Sequence, residues 1–291
     1  MCVMIRINFA LVVLFGILSV GLLLESCNKN ENDNFEPFND SGRTALDYAQ
    51  ECEAIFGPFP RFSCEDAILV PATKNGVPIT NESWDPNDCD CPMALGKPCE
   101  IDYRVGRYTG LNSDGTENQD VVWLTNCRDG GLGVIGYKFS TGETCFLSIV
   151  DNGDPNNAPQ PYENGYNDAW QSPSIVSADN CVNCHMASPF IHTPAVDQLM
   201  NPFNPSELLV PITGYEPYSV VGAEFKQPFT TNIQNSCTAC HRPQCTEFFQ
   251  NYPLDELVMP APFQNATDFD HSNISDADRQ AIRDWCSTLD L

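Results

Sequence analysis

Two segments of the 291-residue chain repeat one spacing of reactive side chains: Cys181-Val182-Asn183-Cys184-His185 and Cys237-Thr238-Ala239-Cys240-His241. Two thiols separated by two residues and followed at once by an imidazole make the C-x-x-C-H pattern that attaches haem covalently. The spacing has a chemical reason. The thiols add to the two vinyl groups on one edge of a porphyrin, and the next residue sets an imidazole beneath the iron. With 15 Cys and 4 His in the chain, chance would produce the pattern only ~0.01 times, so two copies are a strong signal. A redox-active C-x-x-C explains neither the duplication nor the histidine after each pair, and a single zinc held by both pairs leaves His185 and His241 without a role. The expected cofactors are two haem c groups, bound through Cys181, Cys184, Cys237 and Cys240, with His185 and His241 as proximal iron ligands.

Such chemistry needs a compartment and a scaffold. Fifteen cysteines suit an oxidising environment better than a reducing cytosol. The N-terminus supplies a route there: Arg6 precedes an apolar run from Phe9 to Leu24, as in a signal sequence. The run stops at Leu24-Glu25-Ser26-Cys27, which resembles the lipobox of bacterial lipoproteins. That resemblance implies a signal peptide over residues 1–26 and an acylated Cys27 at the new N-terminus; Glu25 departs from the usual small or apolar residue. An uncleaved anchor is the alternative, because the run is close to bilayer-spanning length. Either form tethers the protein to a membrane, facing periplasm or cell surface. Residues 27–43 are polar, including Asn28-Lys29-Asn30-Glu31-Asn32-Asp33-Asn34, and read as a flexible tether. The net charge of −25, from 14 Lys+Arg against 39 Asp+Glu, excludes nucleic acid as a partner and favours proteins with basic docking patches.

Residues 44–165 read as a small β-rich domain. Val121 to Leu124 is an apolar strand, and Val134 to Phe139 and Thr144 to Val150 flank a Ser140-Thr141-Gly142-Glu143 turn, as in a hairpin. Abundant Asn, Asp, Gly and Pro between them build turns and leave little regular structure. Seven cysteines fall here: Cys52, Cys64, Cys89, Cys91, Cys99, Cys127 and Cys145. Expected bridges are Cys127 to Cys145, Cys52 to Cys64, and Cys99 to either Cys89 or Cys91, each contributing ~2–4 kcal/mol. The odd count leaves at least one thiol without a partner inside the domain. Zinc held by Cys89, Cys91 and Cys99 is the functional rival, weakened by the absence of histidine from this stretch.

From about Asp168 to Leu291 the chain resembles the bacterial cytochrome c family. The resemblance rests on the two attachment motifs and on a C-terminal element similar to that family's last helix. Ser275-Asp276-Ala277-Asp278 supplies a capping pattern, and Ile282, Trp285 and Leu289 fall on one helical face. The implied fold class is α+β: a disulfide-braced β-rich N-terminal domain, then a small, mainly α cytochrome c-like domain over residues 166–291. Leu257-Val258-Met259-Pro260 resembles the segment that supplies the distal sulfur in many small cytochromes c, which implies Met259 as a ligand of the second haem. Pro189, Phe190, His192 and Pro194 look like a segment found beside attachment motifs in multihaem cytochromes. His192 is thereby preferred for an iron ligand, with Met200 the alternative. Imidazole and thioether donors set different potentials, so a His/His haem beside a His/Met haem would make a downhill step.

The function these residues imply is electron transfer by a membrane-tethered diheme cytochrome, a carrier more than a catalyst. A diheme peroxidase-like enzyme is the alternative from another class. Cys181 and Cys237 stand only 56 positions apart, which leaves little room for two separate haem domains. A third possibility is a surface binding protein that carries a cytochrome module.

Overall fold

The protein's structure, a computed structural model, describes residues 42–93, 97–150, 153–178, 185, 188–193, 195–213, 217–228, 280, 281 and 284. Its centre is a six-stranded sheet in the order β1-β4-β5-β6-β7-β10. The strands are β1 (Ile68–Leu69), β4 (Arg104–Leu111), β5 (Glu117–Arg128), β6 (Gly131–Lys138), β7 (Glu143–Ile149) and β10 (Ser219–Val220). β4 to β7 form an antiparallel meander, and β10 adds to β7 in parallel. The β6–β7 hairpin and the apolar core of β5 lie where the alternation of side chains predicts. Two small antiparallel pairs sit outside the sheet: β2 (Thr73–Lys74) with β3 (Val77–Pro78), and β8 (Met200–Asn201) with β9 (Asn204–Leu208).

Helix α1 (Ala45–Phe56) covers one face of the sheet. It starts at Thr44 because a capping box satisfies the first amides: the Asp47 N–H donates to the Thr44 hydroxyl (3.1 Å), and the Thr44 N–H donates to the Asp47 carboxylate (2.9 Å). Ala45, Tyr48, Ala49, Cys52 and Phe56 recur on one helical face and are buried. They meet Val121, Trp123, Cys127, Leu132, Val134 and Cys145 from the sheet. Trp123 lies flat across β6 because Gly136 opposite it has no Cβ; one would stand 2.4 Å from the indole. Phe56, Phe59 and Phe62 close around that indole at centroid distances of 5.1, 4.7 and 5.5 Å.

The braces differ in part from expectation. Cys89–Cys99 is one of the two alternatives expected for Cys99, whereas the other two pairs are Cys52–Cys145 and Cys64–Cys127. A Cys127–Cys145 bridge fails on register. Cys145 stands opposite Gly136 and Trp123, and Cys127 lies four residues further along β5, two strands away. That separation is roughly 16 Å, against a limit of about 7 Å for a disulfide. Cys52 faces the sheet from α1, while Cys64 comes after the helix and lies against Gly131, so a local Cys52–Cys64 loop does not form. Cys91 is disulfide-bonded too. The other six described cysteines pair among themselves, so its partner lies outside the described residues. With all three thiols in disulfides, zinc at Cys89, Cys91 and Cys99 is ruled out.

The fold is mixed α+β, with a β-rich, disulfide-braced sheet and few helices. Beyond residue 165, helix among the described residues before 229 is confined to α2 (Tyr166–Ala169), α3 (Pro173–Ala178) and a 3-10 turn at Val196–Gln198. Tyr166, Trp170, Val176, Tyr218, Val220, Val221 and Phe225 share one core with α1, and Phe190, Leu199 and Leu209 pack with Val122, Leu124 and Tyr137 in a second. Of the expected last helix, Gln280, Ala281 and Asp284 are helical, and Ile282, Trp285 and Leu289 lie outside the described residues.

Candidate functional site

The site is built at the β7–β10 end of the sheet. Gly142, in the turn before β7, has a positive φ of 78°, and a Cβ there would stand 2.0 Å from the Pro217 carbonyl oxygen. Only glycine admits so close an approach with that backbone. The amides of Ser219 and Val221 then donate to the carbonyls of Gly142 and Thr144, each at 2.9 Å, which zips β10 onto β7. Pro217 is fixed from the other side by the Tyr137 hydroxyl, which donates to its carbonyl at 2.8 Å.

This pairing delivers Tyr218 to His185. The Tyr218 hydroxyl donates to the His185 carbonyl at 2.6 Å, and the His185 ring leans on Phe146 of β7 at 5.3 Å between centroids and 53° between planes. Phe146 is held in turn, since its amide donates to the Tyr48 hydroxyl at 3.2 Å and Phe225 packs 6.1 Å from its ring. The Nδ1 of His185 is buried with no hydrogen-bond partner on the protein. Burial lowers the pKa of the imidazole to about 4, against a smaller upward pull from the backbone of Pro189 and Ser188. At neutral pH the ring is uncharged, the state in which a nitrogen lone pair can bind a metal. An unpartnered buried nitrogen costs about 1–3 kcal/mol unless something outside the chain satisfies it. A neutral imidazole of this kind, walled by an aromatic ring, has the chemistry to serve as a haem-iron ligand.

His192 sits in a different setting. Its Nδ1 is 2.7 Å from an Asp197 carboxylate oxygen and its Nε2 is 3.3 Å from the Pro211 carbonyl. Both side chains are buried, and burial raises the Asp197 pKa while the bond to His192 opposes it. Both ring nitrogens thus face acceptors. A carboxylate on one nitrogen is the usual means of orienting a metal-bound imidazole, but Nε2 must leave Pro211 before it can meet iron. Around this pair the chain is pinned: Phe190 packs edge-on to Tyr137 at 5.7 Å, and the hydroxyls of Ser188 and Thr213 share a hydrogen bond at 3.1 Å. Met200, the alternative ligand, lies half-buried in β8.

The other expected site residues, Cys181, Cys184, Cys237, Cys240, His241, Met259 and the acylation candidate Cys27, lie outside the described residues. Among the described residues no group of three or more His, Cys, Asp or Glu side chains could hold a metal ion, and no helix is long and apolar enough to cross a membrane. Comparison of the chain with protein-family models, curated proteins and solved structures finds no match. The functional reading therefore rests on this chain's own residues.

Phe146, Tyr218 and Asp197 join the site without having been singled out in the sequence. Tyr218 immediately precedes a two-residue parallel strand, which carries no periodic signal. Phe146 reads as one more apolar residue of a buried strand. Only Asp197, five residues from His192 and buried, had a recognisable mark, a carboxylate close to an imidazole in sequence.

Proposed function

We propose that the protein is an exported, membrane-tethered electron carrier holding two covalent haem c groups. Cys181 and Cys184 hold the first and Cys237 and Cys240 the second. In each attachment a thiol adds across a vinyl group, so that a sulfur–carbon bond forms and the thiol hydrogen passes to the neighbouring vinyl carbon. Haem iron, when bound, supplies reversible one-electron exchange. His185 and His241 offer imidazole nitrogen to the two irons. Met259 is the distal donor proposed for the second haem, and His192 is a candidate iron ligand whose Nδ1 contact with Asp197 would orient its ring. The aromatic wall of Phe146 and the buried surroundings of His185 exclude water from one side, which restricts the change of solvation that accompanies a change of charge. Cys27 carries the lipid anchor, and the net charge of −25 selects redox partners with basic patches.

The observation that carries this reading is the duplicated Cys-x-x-Cys-His, one copy of which ends at His185, whose ring leans on Phe146. Thioether bonds survive unfolding, so the denatured chain should still carry about two haems by pyridine haemochrome assay and by mass. Replacing Cys181 and Cys184 with Ala should remove one and leave the other. Haem that extracts into acid acetone would refute the proposal.

A further inference from the structure

His185, the residue that ends the first attachment motif, is held beside the six-stranded sheet at two points. The ring of His185 rests on Phe146 of β7 at 5.3 Å, and its carbonyl accepts from the Tyr218 hydroxyl at 2.6 Å. These contacts act on different parts of one residue. The first limits rotation of the imidazole about its side-chain bonds, and the second fixes the backbone from which the imidazole hangs.

Both contacts are rooted in the core. The Phe146 amide donates to the Tyr48 hydroxyl (3.2 Å), and that hydroxyl donates to the Val221 carbonyl (3.2 Å) immediately after β10. Phe225 fills the space between the two rings, 6.1 Å from Phe146 and 5.4 Å from Tyr48. Tyr48 and Tyr218 are 1% and 4% exposed, so these hydrogen bonds form away from competing water. One helix, one internal strand and one edge strand thus converge on a single imidazole.

We infer that Phe146 and Tyr218 are positioning residues for the first haem, setting the orientation of the His185 ring and, through it, the electron affinity of that iron. The inference rests on the functional reading above and adds to it a job for the β-rich region, which becomes the wall of the first haem site. Partners in the outer shell orient metal-bound imidazoles and tune their basicity, and ligand orientation and burial tune a haem's potential. Neither residue touches the reacting atoms, so neither is catalytic.

The second haem serves as an internal reference in the test. Tyr218→Phe removes one oxygen and keeps the ring, and Phe146→Leu independently removes the aromatic wall. Pyridine haemochrome counts haem first; electron paramagnetic resonance and a spectroscopic redox titration then follow each haem in the full-length protein. Expected in both variants are two haems per chain and displaced g-values for one haem only. The reduced-to-oxidised ratio of that haem at a fixed potential should change by about fivefold, the scale of one ordinary hydrogen bond. Phe146→Tyr, which keeps the ring, should restore the parental signals. Two bound haems with both signals unmoved overturn the inference and leave the functional reading standing, and an equal displacement of both haems also overturns it, as a general loosening of the fold. A wild-type chain without covalent haem overturns both together.

Discussion

Replacing Cys52 and Cys145 together with Ala should destabilise the protein more than the same treatment of Cys89 and Cys99. The sequence separations are 93 and 10 residues, but Cys64–Cys127, separated by 63, is nested inside the first and shortens the loop it closes to about 30 residues. In the chain-entropy model a bridge removes unfolded-state freedom as the logarithm of loop length, which gives about 3.7 kcal/mol for the long loop and about 2.7 for the short one. Packing losses hardly distinguish the pairs, since Cys52, Cys145, Cys89 and Cys99 are 0%, 0%, 3% and 1% exposed. The difference of about 1 kcal/mol therefore survives the common cost of trimming buried sulfur, and corresponds to about 2–4 °C in Tm for a folded region of this size. Urea titrations of the parent and both double variants, under non-reducing conditions, measure it directly. Equal losses in the two variants would mean that the long bridge does not restrict the unfolded chain as its span requires. A non-reduced digest that joined Cys52 to Cys64 would refute the pairing itself.

Glu100→Gln should stabilise the protein at neutral pH by about 1–2 kcal/mol, because burial raises the Glu100 pKa, against an opposing pull from Arg128, and its Oε2 has no hydrogen-bond partner. The sign follows from linkage: the unfolded carboxyl ionises near its ordinary value while the folded one resists, so the parent gains stability as pH falls through the folded pKa, and the advantage of Gln disappears there. Urea unfolding at pH 7 and pH 4 checks this, and an advantage that persists at the lower pH refutes it. Gly142→Ala should cost more than about 2 kcal/mol, combining a left-handed backbone with a clash against Pro217. Hydrogen exchange should show the Ser219 and Val221 amides losing protection first, and unchanged protection there would mean β10 does not depend on that turn.

Local chemistry was legible in the sequence; pairing at a distance was not. The β6–β7 hairpin declared itself because alternating apolar residues flank Ser140-Thr141-Gly142. Cys89 to Cys99 could be foreseen because the loop is short. The two long bridges join residues whose proximity depends on which strand neighbours which, and no local pattern encodes that order. Helix α1 carries local signals as well: Thr44 and Asp47 form the cap, and Tyr48, Cys52 and Phe56 keep a helical period. At the site, His185 was marked by its motif, while Tyr218 reaches it across 33 residues of sequence through a strand only two residues long. The setting of His192 was hidden for a similar reason, since the Pro211 carbonyl approaches from 19 residues away.

The parallel pairing of β10 with β7 also imposes an order on assembly. β4 to β7 are joined by short turns and can zip up as soon as neighbours meet, whereas β10 returns only after the whole excursion from residue 150 to residue 218. Closing that loop is entropically the most demanding step in building the sheet. In sequence, Cys181 to His185 lie inside that excursion. The bond from Tyr218 to His185 forms only with that arrival, so the edge strand and the residue it holds are fastened in one step.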